Sequence, residues 1–326
     1  MLFNEYLGRV AARAVAGLVA IGALATLASC GGGTYQVTVF QPARVLTFGD
    51  ESSRLETAQG LKYSINGLNA NQLTDCTVAP IWTQIVAGSY GLVYANCNVN
   101  VSNQTYAIDL TTVNGTVDDV VNKVAAFQAG DTFNYNDLVT IWVGMHDILN
   151  EYEANGTGDQ ATLLANMRAQ GTTLANVVNS IAAAGGKVLL LTVPDMSDSP
   201  FGYAESQRGD FDRLKLLSDM STQFNVGLRS NIVNDGSKIA LVLVDDLVRN
   251  AARNPGGYGM IQLANQVGGC LDTAPLPTCT TDTLKNDPTT GQATTGFMWA
   301  DATHLGSIMQ TQIGNQANNR AHSNPF

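Results

Sequence analysis

Three short runs of the chain are apolar at consecutive rather than alternate positions: Val45-Leu-Thr-Phe48 after Arg44, Leu138-Val-Thr-Ile-Trp-Val143, and Val188-Leu-Leu-Leu-Thr-Val193. A strand that is apolar on successive residues buries both faces, as in a parallel sheet covered by helices on each side. Between these runs the period becomes helical. Val117, Val120, Val121, Val124 and Ala125 recur at helix spacing, with Thr116 placed to cap them. Leu163, Leu164, Met167, Leu174, Val177, Val178 and Ile181 share one face of a long helix that stops at Gly185-Gly186, a pair suited to a C-terminal cap. Another helical pattern, about Asp212 to Val233, leads into a strand from Ile239 to Val244. A last helix follows His304, with Leu305, Ile308, Met309 and Ile313 inward. Strands separated by helices predict an α/β fold: one three-layer domain, residues 43–326, with a mostly parallel sheet between two helical layers. Residues 64–105 and 265–298 break the rhythm and read as loops over the carboxyl ends of the strands, where such sheets bind ligands.

Of 326 residues, 45% are hydrophobic, enough for a packed core, and only 13% are charged. The net charge is −10 with no Lys/Arg cluster. Nucleic-acid binding and docking to an anionic bilayer through a basic face are thereby excluded, because both need concentrated cations.

Arg9 and Arg13 precede an uncharged apolar run from Ala14 to Leu27. Those 14 residues at about 1.5 Å each fall short of a ~30 Å hydrocarbon core, so residues 1–29 read as a signal peptide and not as a span. The run ends Leu27-Ala28-Ser29-Cys30-Gly31, which resembles the lipobox of bacterial lipoproteins. That resemblance implies cleavage before Cys30, acylation of its amine and thiol, and a lipidated tether over residues 30–42. Gly31 stands where the inner-membrane retention signal has Asp, so the expected location is the outer membrane, facing the periplasm or the surface. Setting Cys30 aside leaves Cys76, Cys97, Cys270 and Cys279, an even number that fits two disulfides in an oxidising compartment. Three pairings exist; the sequence-local pairs Cys76–Cys97 and Cys270–Cys279 are the expectation.

Only three histidines are present, and His322 lies in a polar tail. His304 sits in Asp301-Ala-Thr-His304, a spacing that lets a carboxylate fix the tautomer of a catalytic imidazole. Three other blocks stand at strand or helix ends: Gly49-Asp50-Glu51-Ser52-Ser53, Asn114-Gly115-Thr116 and Gly144-Met145-His146-Asp147. In order, spacing and placement the four blocks resemble the SGNH (GDSL) hydrolases. Tyr63-Ser-Ile-Asn-Gly67, Pro80-Ile-Trp82, Pro194-Asp195 and Asn254-Pro255 add to the likeness, which spans nearly all of residues 43–318.

The resemblance implies a flavodoxin-like α/β/α sandwich and hydrolysis of carboxylic esters of lipids, acylated sugars or other small acyl groups, with no cofactor. Asp301 and His304 match its base, and Gly115 matches a donor to the oxyanion. Two positions depart from it. Glu51 stands where the family has its nucleophilic serine, with Ser52 one residue later. His146 replaces an asparagine that donates to the oxyanion.

Three readings follow. The first is an active lipoprotein esterase with Ser52, His304 and Asp301 as triad, Gly115 and His146 around the oxyanion, and Glu51 and Asp50 beside the substrate. The second is a hydrolase fold that binds an acyl or glycan ligand without cleaving it. The third is a metal site formed by Glu51, His146 and His304. Trp82, Trp142 and Trp299 read as core residues. Trp299, two residues before Asp301, is also a candidate border of the substrate pocket. The proline-bearing Cys270–Cys279 loop reads either as a rigid lid beside His304 or as an exposed insertion.

Overall fold

The computed structural model describes residues 39–56, 60–98, 104–323 and 326. The expected signal segment 1–29, the expected lipidation site Cys30 and the expected tether up to residue 38 lie outside the described residues. None of the described helices is long and apolar enough to cross a membrane.

Six strands form one sheet: β1 (Arg44–Gly49), β2 (Leu92–Tyr94), β3 (Gln104–Asp109), β4 (Asp137–Trp142), β5 (Lys187–Leu191) and β6 (Ile239–Val242). Their order is β2-β3-β1-β4-β5-β6, and every pairing is parallel. Without the three-residue edge strand β2, the order is that of flavodoxin-like sheets. Eight helices flank the sheet among the described residues. Helices α1 (Trp82–Ser89), α7 (Val244–Arg253) and α8 (Ser307–Ser323) cover one face. The other face carries α2 (Val117–Gly130), α3 (Met145–Asn155), α4 (Gln160–Ala183) and α6 (Arg213–Asn231), while α5 (Pro200–Ser206) packs beside them. The architecture is therefore the three-layer α/β/α sandwich.

The consecutive apolar residues explain the layering. Val45, Leu138, Leu189 and Val242 point into the first helical layer, and Leu46, Val139, Leu190 and Ile239 into the second. Removing such a side chain from water contributes roughly 1.5–3 kcal/mol. Caps close the helices where the sequence places them. Thr116 accepts from Asp119 N–H and Asp119 returns the bond, Asp212 caps α6, and Gly185 takes φ +110° past the end of α4.

Some boundaries differ from the sequence reading. The strand expected over 239–244 stops at Val242, because Val244 opens α7. The last helix begins at Ser307, since residues 299–305 turn back on themselves through the Trp299–Leu305 bridge. Residues 64–105 are not all loop: they include α1, β2 and the start of β3. The two disulfides join Cys76 to Cys97 and Cys270 to Cys279.

Candidate functional site

Adjacent strands β1 and β4 run in register, with Gly49 opposite Trp142, so the residues that follow each strand emerge side by side. Chain order reverses here, β3 lying on one side of β1 and β4 on the other, which is where open α/β sheets bind ligands. Gly49 is required for the close approach: at φ +136° a Cβ there would stand 1.9 Å from the Trp142 carbonyl oxygen. Gly144, at φ +127°, turns β4 into α3 in the same way, and a Cβ would meet the Phe224 ring at 2.4 Å. These two turns deliver Glu51 and His146 to one point. The segment before α8 delivers His304 to it.

Glu51 lies at the centre and is only 1% exposed. Its Oε1 is 2.6 Å from His146 Nε2 and 2.9 Å from His304 Nε2. Its Oε2 accepts the Asn114 N–H at 2.7 Å. On the far side of the ring, His304 Nδ1 lies 2.9 and 3.1 Å from the two oxygens of Asp301. Asp301 Oδ1 also accepts the backbone N–H groups of Thr303 and His304, which fixes the carboxylate. Both nitrogens of His304 thus face carboxylates, so both carry hydrogen and the ring is an imidazolium.

Burial alone would push Glu51 up, but the N–H groups of His146 and His304 override it and hold the carboxyl well below its usual range. Burial would lower His304; its bonds to Asp301 and Glu51 instead push it up to about 10. His146 is raised as well, the Glu51 carboxylate outweighing desolvation. Asp50 is buried beside Glu51, and desolvation followed by that like charge pushes it up to about 7. Its Oδ1 accepts the Ser52 N–H at 2.9 Å, capping the turn.

The charged cluster makes stability depend on pH. His304 is raised above its unfolded value near 6.5, so its contribution is complete below about pH 6.5 and is lost as pH rises towards 10. Glu51, being lowered, contributes above its unfolded value near 4.3 and loses that contribution in acid. Asp50, raised to about 7, favours the folded state only while protonated and so lowers stability as pH rises from about 4 to 7. With His146 and Asp301 also around the centre, the chelator-treated protein is expected to be most stable near about pH 4.5 to 5 and to lose stability from there upward. Urea midpoints measured from pH 5.5 to 10 should fall for wild type and fall less steeply for His304→Gln. Parallel curves would contradict the assignment.

The structure brings together Glu51, His146, His304 and Asp301, with Asp50 alongside. Other expected participants are placed elsewhere. No hydrogen bond joins Ser52 Oγ to His304, whose Nε2 is on Glu51. Ser52 is held through its backbone, its N–H on Asp50 and its carbonyl accepting from Gln310 Nε2 at 3.3 Å. The capped turn therefore points residue 51, not residue 52, at the imidazole. The Gly115 N–H donates to the Thr112 carbonyl and is not directed at the centre. Trp299 is 0% exposed, packed among core residues such as Met298 and Leu305, and presents no surface to a ligand.

The Cys270–Cys279 loop is no detached insertion. Cys270 N–H donates to Ala300 and the Cys279 carbonyl accepts from Asn66 N–H, so it packs beside the His304 segment. Asn114 is a participant that sequence reasoning misses. Its Asn-Gly signature marks only a turn, and the left-handed φ of 54° at Asn114 is what aims its N–H at Glu51.

Fold and centre together define a parallel α/β/α sandwich with a buried carboxylate–imidazole cluster at its switch point. No protein-family model matches the sequence, and no curated protein matches it. A solved structure described as a member of the lipolytic protein G-D-S-L family from Veillonella parvula DSM 2008 is similar, with 12% identity over 84% of this chain and 95% of that one, at a TM-score of 0.42.

Proposed function

We propose that this is an envelope-anchored protein of hydrolase fold that binds a ligand at its centre and does not cleave carboxylic esters. One observation carries the reading: the Glu51 carboxylate takes up the N–H groups of His304, His146 and Asn114. Serine ester hydrolysis needs His304 Nε2 free to accept a hydroxyl proton and needs donors left over for the developing oxyanion. Here a full negative charge already occupies that place. A second negative charge developing beside it would be repelled, and a carboxylate is a poor nucleophile towards esters.

Anchoring through acylated Cys30 and residence at the outer membrane belong to the same proposal and rest on the residue 14–31 pattern. A shifted triad is the competing reading; in it Ser52 Oγ has to displace Glu51 from His304.

Short-chain p-nitrophenyl esters decide between them. Wild-type full-length protein should show no turnover above the uncatalysed rate, and Ser52→Ala should change nothing. Turnover that disappears in Ser52→Ala would overturn the proposal in favour of a serine esterase.

A further inference from the structure

We propose that Glu51, His146 and His304 hold a divalent transition-metal ion, zinc before others. The inference rests on reading the centre as a binding site, and it names the ligand class. One ligand atom from each residue, a carboxylate oxygen and two imidazole nitrogens, lies within 4.8 Å of the other two. In a tetrahedral zinc site with bonds of ~2.0–2.1 Å, ligand atoms stand about 3.3 Å apart. The two Nε2 atoms are now 2.6 and 2.9 Å from Oε1, so each of these two separations needs to open by less than about 1 Å to reach that spacing.

The surroundings favour a metal in two independent ways. His304 is oriented by Asp301 through Nδ1, which keeps one proton there; the ion displaces the other proton from Nε2 to solvent and meets a lone pair already aimed at the shared point. Carboxylates behind metal-binding histidines do this, and they raise the basicity of the ligand. Glu51 is fixed in the same manner, since the Asn114 N–H holds Oε2 and leaves Oε1 for the ion. Each ligand also stands just past a turn of the scaffold, after β1, after β4 and before α8, and not on a free loop.

The donor set selects the metal. Two imidazoles and one carboxylate suit zinc and its transition-metal neighbours, while calcium and magnesium call for all-oxygen shells. Three protein ligands leave a fourth position open for water or for a donor atom of a bound molecule. Both rings keep 12% of their side-chain surface exposed, which gives an ion a way in.

Chelator-treated full-length protein titrated with Zn2+ by calorimetry should bind one equivalent. Mg2+ and Ca2+ should give no heat. Glu51→Gln and His146→Gln should each weaken zinc binding at least 100-fold, and His322→Gln should leave it unchanged. Because a variant could fail to fold, its unfolding midpoint in EDTA is compared with wild type. His146→Cys, which replaces one ligand with another, should retain binding, and Co2+ loaded into wild type should show the visible absorption of a four-coordinate complex. Zinc binding that survives both Glu51→Gln and His146→Gln, or is lost in His322→Gln, or is absent from wild type, would overturn the assignment. The two failures are distinguishable: absent zinc without ester turnover overturns the metal site alone, and Ser52-dependent turnover overturns the reading of the centre on which the metal site rests.

Discussion

The double variant Glu51→Ser/His146→Asn is expected to hydrolyse p-nitrophenyl acetate at least about 100-fold faster than wild type, because it turns a blocked centre back into a triad with free donors. A serine at position 51 starts from the same backbone as Glu51, whose side chain already reaches His304 Nε2. The ring is already oriented by Asp301 on its other nitrogen. Removing the carboxylate frees the Asn114 N–H, and the His146→Asn change adds an amide donor where the imidazole now points inward. One such donor is worth about 2.7–4 kcal/mol of transition-state stabilisation, or roughly 100- to 1000-fold in rate. Adding Asp301→Asn to the double variant should remove most of the gain, through kcat and not KM. A double variant that folds but stays silent would show that His304 is not placed to act as a base.

The largest effect on stability is expected at Lys62. The residue is 0% exposed, and its ammonium donates to the carbonyls of Cys76, Val78 and Ala79 at 3.2, 2.8 and 3.0 Å. Burial pushes it down to about 8, with Asp75 opposing. Those three bonds hold a loop in which Ala79 has a φ of 52°, a conformation that costs a residue with a Cβ roughly 1–2 kcal/mol. Lys62→Met keeps the length of the side chain and leaves the Val78 and Ala79 carbonyls without a donor, while the Cys76 carbonyl keeps Gln84 Nε2 at 3.0 Å. At about 1–3 kcal/mol for each of the two unsatisfied buried groups, less what water recovers, the loss should be about 2 kcal/mol or more. Urea unfolding of the two proteins at pH 7 measures it. A loss below about 1 kcal/mol would mean that the loop is held by Cys76–Cys97 and not by the lysine.

The parts of the fold legible in the sequence are those whose pattern is local. Strands β1, β4 and β5 are legible because they are apolar on both faces, and α2, α4 and α6 because caps or glycines bracket a 3.6-residue period. Strands β2 and β3 are not, since one has three residues and the other is polar at Gln104, Thr105 and Asp109. In the centre, the Asp301–His304 pair is legible for the same reason, its partners being three residues apart. The contacts of Glu51 with His146 and His304 span 95 and 253 residues, so no local pattern encodes them; only the order of the four blocks, through their likeness to the SGNH pattern, brings these three residues together in the sequence. Which of residues 51 and 52 faces the imidazole depends on the turn after Gly49. There the Asp50 cap on Ser52 N–H decides the matter.

The loop about Asn66, the Cys270–Cys279 loop and the segment before α8 are tied to one another and not merely laid side by side. Asn66 binds the carbonyls of Pro277 and Cys279, Ser64 Oγ donates to the Leu305 carbonyl, and Gly269 and Cys270 donate to Trp299 and Ala300. No single flap in this group can lift without breaking bonds to the other two. The solvent that reaches the centre does so over the two imidazole rings, each with 12% of its side chain exposed, while Glu51 beneath them is 1% exposed. Wider opening on this side requires concerted loosening of all three segments, so exchange of anything held at Glu51 is expected to be slow.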